Sequence, residues 1–424
     1  MTEEYTIHFN TEPHLTLDFV AAEPEQVEVT PTVRPLTYTY SATEVDGQLV
    51  FGPYTEPYAE EGELRLYGKD GLYTVIEWTA GDVIIGVPNP DDWRPYINLN
   101  TTTNLEGQFK NAPNAFVPEG ITFGAATNGS YMFNNAKNVS LPTTVTFASL
   151  TNASYMFQSA SKVNGFASTL DRATNFSYFA HRASDINLMS LNPANGTNFS
   201  HAFCRATRVS VDPAKIVNNG KVTNLASAFA FNVYTEWLDE LEINLPVCTD
   251  LSSFMSTYTT STPHPSPKHL VINAPNVTTI STSADGEGRY GCAINTRMET
   301  LEAHMPRLAD WIYGFEYNTN LVSFKGTATA MTTGTYTFQG NQKMSRFDCD
   351  LPALSTASAM FNGCVLDAYS VKKIATGIKT WTSGSHPITI GIAKPLQNDP
   401  DVLADIQAIR DKGWAVTVQY NALS

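Results

Sequence analysis

The chain of 424 residues is predicted to be an α+β repeat protein, in which a solenoid with a parallel sheet is flanked by a β-rich N-terminal region and a small α/β cap. Three observations predict this fold. A Thr-Asn phrase recurs at near-constant spacing, an aromatic residue follows most copies at a fixed distance, and acidic charge is concentrated before the first copy. The predicted domains are an acidic, extended attachment region at 1–99, a solenoid at 100–366 and a cap at 367–424.

The Thr-Asn phrase defines the repeat. Successive Asn positions are separated by 24, 24, 23, 23, 26 and 26 residues, with Asp in the last copy. An Asn at a fixed turn can bond its own backbone and the equivalent side chain of the next coil, so we expect a structural ladder. The ladder positions are Asn104, Asn128, Asn152, Asn175, Asn198, Asn224 and Asp250, with a further copy expected at Asn276.

A column of phenylalanines accompanies the ladder, five residues after the Asn, and continues at intervals of 23 residues where the Asn is lost. Each unit is expected to hold this ring in a short helical turn, followed by a small residue and an apolar β-strand. One unit cannot bury its own ring, whereas about eleven stacked units bury each ring against the next and align their strands. The column contains Phe109, Phe133, Phe157, Phe203, Phe229, Phe315, Phe338 and Phe361.

The repeat phrases resemble those of a known family. FNNAKNVSLP from Phe133 and FQGNQKMSRFDCDLP from Phe338 are similar to BspA-like leucine-rich repeats and the related MFxxA repeats of bacterial surface lipoproteins. This resemblance covers 100–366, although Thr and Ala often replace the Leu and Ile of the family, and it implies a binding surface rather than catalysis. The KGWxVTVxYN phrase at Lys412–Asn421 also resembles structural proteins of bacteriophages that infect gut Bacteroidetes.

The two ends differ from the repeats. Residues 1–100 contain 18 acidic and 4 basic residues, and alternating apolar positions in the segments 5–9, 15–19, 27–33 and 48–78 predict extended and hairpin structure. After 366 we expect a helix with Val371, Ile374 and Ile378 on one face, a strand at 387–392, a helix at 400–412 and a strand at 414–420. This final strand would close the open edge of the solenoid.

Charge and apolar content exclude several function classes. The part of the chain after residue 100 carries 23 acids and 22 bases, so neither nucleic-acid binding nor attraction to an anionic membrane is expected. No window approaches a membrane-spanning length, and MTEEYTIHFN is not a secretory signal. If the chain is a virion protein, as the phage resemblance implies, its expected partners are other virion proteins. They would bind its N-terminal region in a multi-subunit assembly.

Catalytic and metal motifs are absent or explained by structure. Cys204, Cys248, Cys292, Cys349 and Cys364 show no CxxC spacing and are expected to be buried free thiols. GEGRYG at 286–291 lacks a surrounding βαβ unit, His201 and Cys204 lack a second ligand pair, and Asp91 and Asp92 beside Trp93 are expected to be solvated. No cofactor, metal or catalytic residue is predicted.

An insertion near 281–292 interrupts the period, and it contains Asp285, Arg289 and Tyr290. Insertions in solenoids often lie on a functional face, so these three residues are the candidate binding residues, with a surface loop as the alternative. The predicted function is that of a bacteriophage virion protein, a fibre, appendage or decoration subunit that presents its solenoid to host glycans or proteins. The alternatives are a bacterial cell-surface adhesin and, third, a glycan-cleaving enzyme.

Overall fold

The computed structural model describes residues 102–112, 114–117, 122–232, 235–257, 263–280 and 291–422, and the backbone of the strands before residue 100. The chain forms two compact units. One comprises Met1–Thr174 and Arg182–Asn192, and the other comprises Asn175–His181 and Pro193–Ser424. The domain limits predicted at 100 and 366 remain predictions. Asp285, Arg289, Tyr290 and the Asp91–Trp93 segment lie outside the described residues.

The first unit begins with an antiparallel sheet of eight strands, ordered β1-β3-β4-β5-β6-β7-β8, with β2 paired to β3. The hairpins predicted between 48 and 78 correspond to β4, β5 and β6. The segment predicted at 15–19 lies outside the described residues. The strands are β1 (Glu3–Tyr5), β2 (Glu28–Val29), β3 (Tyr38–Val45), β4 (Gln48–Tyr54), β5 (Gly62–Lys69), β6 (Leu72–Thr79), β7 (Asp82–Val87) and β8 (Arg94–Asn98).

The same unit continues with short parallel strands, one from each repeat. Equivalent positions pair in register, so that Ala115 faces Val139, Val139 faces Val163 and Val163 faces Ile186. These four side chains are buried at 1–4% exposure, because alternate strand residues point inward. The strands are β9 (Asn114–Phe116), β10 (Asn138–Ser140), β11 (Val163–Asn164) and β12 (Ser184–Asn187).

The second unit contains a parallel sheet of five strands, β14 to β18, in chain order. Its buried row includes Leu241, Leu270, Leu301, Phe324 and Phe347, which are paired across neighbouring strands. The predicted parallel, repeat-like sheets with few helices are thus confirmed. The elements are β13 (Thr207–Ser210), α1 (Pro213–Val217), β14 (Glu240–Asn244), β15 (His269–Asn273), β16 (Thr300–His304), β17 (Ser323–Thr327) and β18 (Arg346–Asp348).

The C-terminal segment forms a second parallel sheet with two helices. The order is β19 (Ala357–Leu366), β20 (His386–Ala393) and β21 (Trp414–Asn421), with α2 (Ala368–Gly377) between the first two, and a 3-10 turn (Lys394–Leu396) and α3 (Pro400–Asp411) between the last two. The side chain of Asp399 accepts hydrogen bonds from the first turn of α3, and Gly413 follows its end at a φ of +90°. These caps explain why α3 lies within one residue of its predicted range, whereas α2 ends at Gly377, one residue before the Ile378 expected on its face.

The repeated turn before each strand is not helical. Leu105, Gly107, Phe109 and Asn111 donate their backbone N–H groups to the next coil, whereas the intervening Gln108, Lys110 and Ala112 bond three residues back. Residues four apart in this turn adopt positive φ, as at Tyr131 (+56°) and Asn135 (+55°). The expected helical turn is therefore wrong. Left-handed residues interrupt a helix, and they direct every second backbone N–H group towards the next coil.

The phenylalanine column lies beneath these turns. The rings of Phe109 and Phe133 stack with centroids 5.0 Å apart, those of Phe133 and Phe157 at 5.4 Å, and those of Phe338 and Phe361 at 5.7 Å. In the coil that begins at Asn175, Ala180 takes the position of the ring, and Phe179 meets Phe203 edge-on instead. All these rings are buried, so each adds roughly 0.5–1.5 kcal/mol of aromatic contact to its apolar burial.

In part of the second unit, buried asparagines form a second column at the position where other coils have alanine. Asn318 Oδ1 accepts from the N–H and Oγ1 of Thr296 at 2.7 and 2.6 Å, and its Nδ2 donates to the carbonyls of Phe315 and Ala293. Asn341 Oδ1 in turn accepts from the N–H of Asn318 at 2.6 Å. Both asparagines are fully buried three residues after a column phenylalanine, where other coils have Ala136 or Ala160.

Candidate functional site

The outward side of strands β14–β18 is a polar surface, which we call the outer sheet face. Its residues alternate with the buried apolar row, so one strand pattern produces both the core and this surface. Parallel pairing aligns equivalent residues in rows that run across the strands. Neighbouring strands, and so neighbouring residues in a row, are about 4.8 Å apart. The rows are Glu240, His269, Thr300, Ser323 and Arg346; Glu242, Val271, Glu302, Lys325 and Asp348; and Asn244, Asn273, His304 and Thr327.

Glu302 contacts two of these side chains, Lys325 and His304. Its Oε1 accepts a hydrogen bond from Lys325 Nζ at 2.8 Å and lies 2.8 Å from His304 Nε2. Hydrogen bonds from Lys325 and His304 hold the pKa of the Glu302 carboxyl below its usual value, and the same contact raises the pKa of Lys325. His304 Nδ1 lies 2.9 Å from Thr327 Oγ1, so this group extends along two rows of the face.

A second network joins the neighbouring strands. Asn273 Nδ2 donates to Glu242 Oε1 at 2.9 Å and to Asn244 Oδ1 at 3.0 Å. Each amide retains further donor or acceptor capacity on its solvent side. The face therefore presents fixed amide, hydroxyl and carboxylate groups rather than freely rotating ones.

Ion pairs border the face at both ends. Asp239 pairs with Lys268 at 3.3 Å and with Arg297 at 3.4 Å. At the other end, Lys373 of α2 pairs with Asp348 at 3.6 Å and with Asp350 at 3.0 Å. Arg346 also contacts Asp367 and lies 3.3 Å above the Tyr369 ring. Because Glu302, Lys325, Arg346 and Asp348 have partners of opposite charge, the face suits a neutral, hydroxyl-rich or amide-rich ligand better than a strongly charged one.

The Glu302 carboxyl is not suited to act as a general acid. A general acid for glycoside cleavage requires a carboxyl that stays protonated near neutral pH. The Glu302 carboxyl has the opposite property, since its pKa is lowered. Among the described residues, moreover, no group of three His, Cys, Asp or Glu side chains could hold a metal ion.

The ladder residues lie at the start of each turn. Asn128 Nδ2 donates to Asn104 Oδ1 at 3.0 Å, and Asn152 Nδ2 donates to Asn128 Oδ1 at 3.1 Å. Each Asn Oδ1 also accepts the N–H two residues on, as Asn198 does from Ser200. Parallel bridges join the remaining positions in two series, Asn175, Asn198, Asn224, Asp250 and Thr279, and then Asp310, Thr333 and Thr356.

The expected ladder copy at Asn276 is wrong. Thr279 faces Asp250 in this coil, and Asn276 instead donates to the Pro246 carbonyl and accepts from Arg307. The step here is 29 residues, as between Thr249 and Thr278, so an extrapolated period of 26 placed the copy three residues early.

Pairs of stacked tyrosine rings were not predicted from the sequence. Tyr131 and Tyr155 stack at 4.5 Å in the first unit, and Tyr313 and Tyr336 stack at 5.1 Å in the second. All four rings are half-buried. The signal was an aromatic residue two positions before the column phenylalanine, as in Tyr131-Met132-Phe133.

The other sequence candidates have structural roles. His201 is buried with its ring 4.5 Å from that of Tyr178, and Cys204 is 2% exposed. An added Cβ at Gly291 would collide with the Tyr313 carbonyl, so this glycine serves close packing. All five cysteines are buried and free, as predicted. Burial raises the pKa of the Cys248 and Cys349 thiols to about 12, which removes them as nucleophiles.

A groove of about 470 Å³ lies in the first unit between the coils at 143–148 and 167–172. Its buried wall contains Val145, Phe147 and Leu170, and Asp171 and Arg172 lie exposed at its rim. It is a separate surface against which binding by the outer sheet face can be compared.

No protein-family model, curated protein or solved structure matches the chain significantly. Among the helices that the structure describes, none is long and apolar enough to span a bilayer.

Proposed function

We propose that this chain is a structural, non-enzymatic subunit of a bacteriophage virion, a fibre, appendage or decoration protein. Its repeats form one leucine-rich-repeat-like solenoid, and its outer sheet face binds glycans or proteins of the host surface. The observation that carries this proposal is the outer sheet face itself, with its in-register rows of fixed amides, hydroxyls and paired charges. A rigid face loses little conformational entropy on binding, which favours affinity.

The N-terminal region supports attachment to a particle. Its 18 acids and 4 bases differ sharply from the balanced charge of the rest of the chain, and its antiparallel sheet differs from the parallel repeats. Two such regions suit two tasks, docking by the first and presentation by the second. The similarity of Lys412–Asn421 to phage structural proteins favours a virion over the alternative, a bacterial cell-surface adhesin.

Binding is tested with the full chain on immobilised bacterial capsular polysaccharides and on outer-membrane proteins. The double variant N273A/H304A removes two side chains that are paired across β15 and β16. We expect at least a tenfold loss of affinity, equivalent to about 1.4 kcal/mol. The control R172A changes the rim of the separate groove in the first unit and should bind like the unaltered chain.

Two results would overturn the proposal. One is an affinity of N273A/H304A equal to that of the unaltered chain while circular dichroism shows both folded. The other is release of reducing ends from a bound polysaccharide, which would indicate an enzyme. Localisation is tested separately: antibodies against the chain should label purified phage particles, and labelling of bacterial envelopes alone would favour the adhesin.

A further inference from the structure

Strand β21 (Trp414–Asn421) is an edge without the usual protection. It pairs with β20 at all eight positions, and in the described part of the chain no strand pairs with its other side. Natural edge strands are normally short or carry Lys, Pro or a bulge that prevents pairing with another chain. The sequence WAVTVQYN contains no charge, proline or glycine, and β21 is long for an edge strand.

The apolar row of this sheet is incomplete at β21. On β20, Ile388, Ile390 and Ile392 are buried at 0–1% exposure. Their register partners on β21 are Val416, Val418 and Tyr420, and all three are only half-buried. One more strand beside β21 would be needed to cover the apolar side chains of this row.

The edge is held firmly in place. Trp414 Nε1 donates to the Lys379 carbonyl at 2.8 Å, and Asn421 Nδ2 donates to the Cys364 carbonyl at 2.7 Å. Gln419 Oε1 also accepts from the Gly363 N–H at 3.3 Å. An anchored strand has little conformational freedom to lose, so pairing with a further strand costs little additional order.

We propose that β21 is the interface through which two copies of this chain dimerise, by antiparallel pairing of the two β21 strands about a two-fold axis. A two-fold axis places each strand opposite itself, so any charge on it would meet a like charge. The absence of charge along β21 removes this penalty. The new pairing satisfies the free backbone groups of both edges and brings the two half-buried rows together. This inference depends on β21 alone and not on the proposed ligand.

Thr417, exposed near the middle of the strand, allows a charge-swap test. The unaltered full chain should sediment with twice the mass of one chain. T417K and T417E should each be monomeric, because two equal charges would meet near the axis. An equimolar mixture of T417K and T417E should restore the dimer, which a merely structural role of Thr417 would not do. The control Q342K adds the same charge at an exposed position outside the sheet and should remain dimeric.

Three outcomes would overturn the inference. These are a monomeric unaltered chain, dimers that persist in both T417K and T417E, and concentration-dependent growth beyond the dimer, which would indicate head-to-tail pairing with another surface. Thermal unfolding of each variant shows that a lost dimer is not a lost fold.

Discussion

Tyrosine occupies a backbone position that favours glycine or asparagine. Tyr131, Tyr155, Tyr313 and Tyr336 adopt φ between +56° and +60°, where the first coil has Gly107. A left-handed residue costs roughly 1–2 kcal/mol, and stacking of the rings returns about 0.5–1.5 kcal/mol. Because one stack is shared by two tyrosines, the ring contacts offset only part of the backbone cost of keeping a bulky residue where the turn would accept a smaller one.

The charge of Glu302 is held by two hydrogen bonds on the outer sheet face, and E302Q tests its contribution to stability. The folded pKa is lowered, so the stabilisation is complete above the ordinary carboxyl value and is lost as the pH falls through the folded value. We expect E302Q to reduce the free energy of unfolding by about 0.5–1 kcal/mol at pH 7, a modest value because the pair is partly exposed. Urea unfolding at several pH values measures this.

The difference between E302Q and the unaltered chain should shrink progressively as the pH falls below 4.5, the ordinary value for this carboxyl. E299Q, an exposed change in the same coil, serves as the control for removal of a surface carboxylate. An E302Q deficit that stays the same at pH 3 would show that its effect is not electrostatic.

At the scale of the coil, regular features could be predicted from the sequence and side-chain networks could not. The Thr-Asn step identifies Asn104, Asn128 and Asn152 because one backbone turn recurs at one spacing, and the structure bridges them. His304 lies two residues from Glu302 on the same strand, and Lys325 lies 23 residues away on the next strand. The regular step of 23 places Lys325 opposite Glu302, but the hydrogen bonds depend on side-chain rotamers, which the spacing does not determine.

The buried asparagine column leads to a counterintuitive expectation for N318A. Alanine is the residue that other coils carry at this position, yet here it would leave the groups bonded to Asn318 without partners inside the core. Unsatisfied buried polar groups cost about 1–3 kcal/mol each, so we expect a loss of about 2–4 kcal/mol in unfolding free energy. Urea denaturation of N318A measures it.

The comparison for N318A is N320A, which removes only the surface hydrogen bond from Lys343. It should cost less than about 1 kcal/mol. Equal losses in both variants would mean that the buried network contributes no more than a surface contact.

At the scale of the whole molecule, the five cysteines provide a test of the solenoid. All lie in the second unit and all are buried, so native thiols should not react with a disulfide reagent. In one continuous solenoid, neighbouring coils stabilise one another and unfold together. Thiol exposure and loss of circular dichroism should therefore share one urea midpoint. Q342C, with an added exposed thiol, should react at once and shows that the reagent is active.

Separate midpoints for thiol labelling and circular dichroism would contradict a single solenoid and would favour two independently stable units. Rapid labelling of the unaltered native chain would contradict the buried thiols. The experiment thus tests whether the coils form one solenoid. The parallel sheets themselves do not depend on its result.

The alternating bonds of the repeated turn have a consequence for how the gene can change. The donors at Leu105, Gly107, Phe109 and Asn111 are backbone groups, so the joint between coils is nearly independent of side chains. Coils with steps of 23 and 26 residues both use it, because the extra residues lie outside the turn. Duplication or loss of a whole coil by recombination would preserve every joint, so chain length could drift while the way each coil meets its neighbour stays constant.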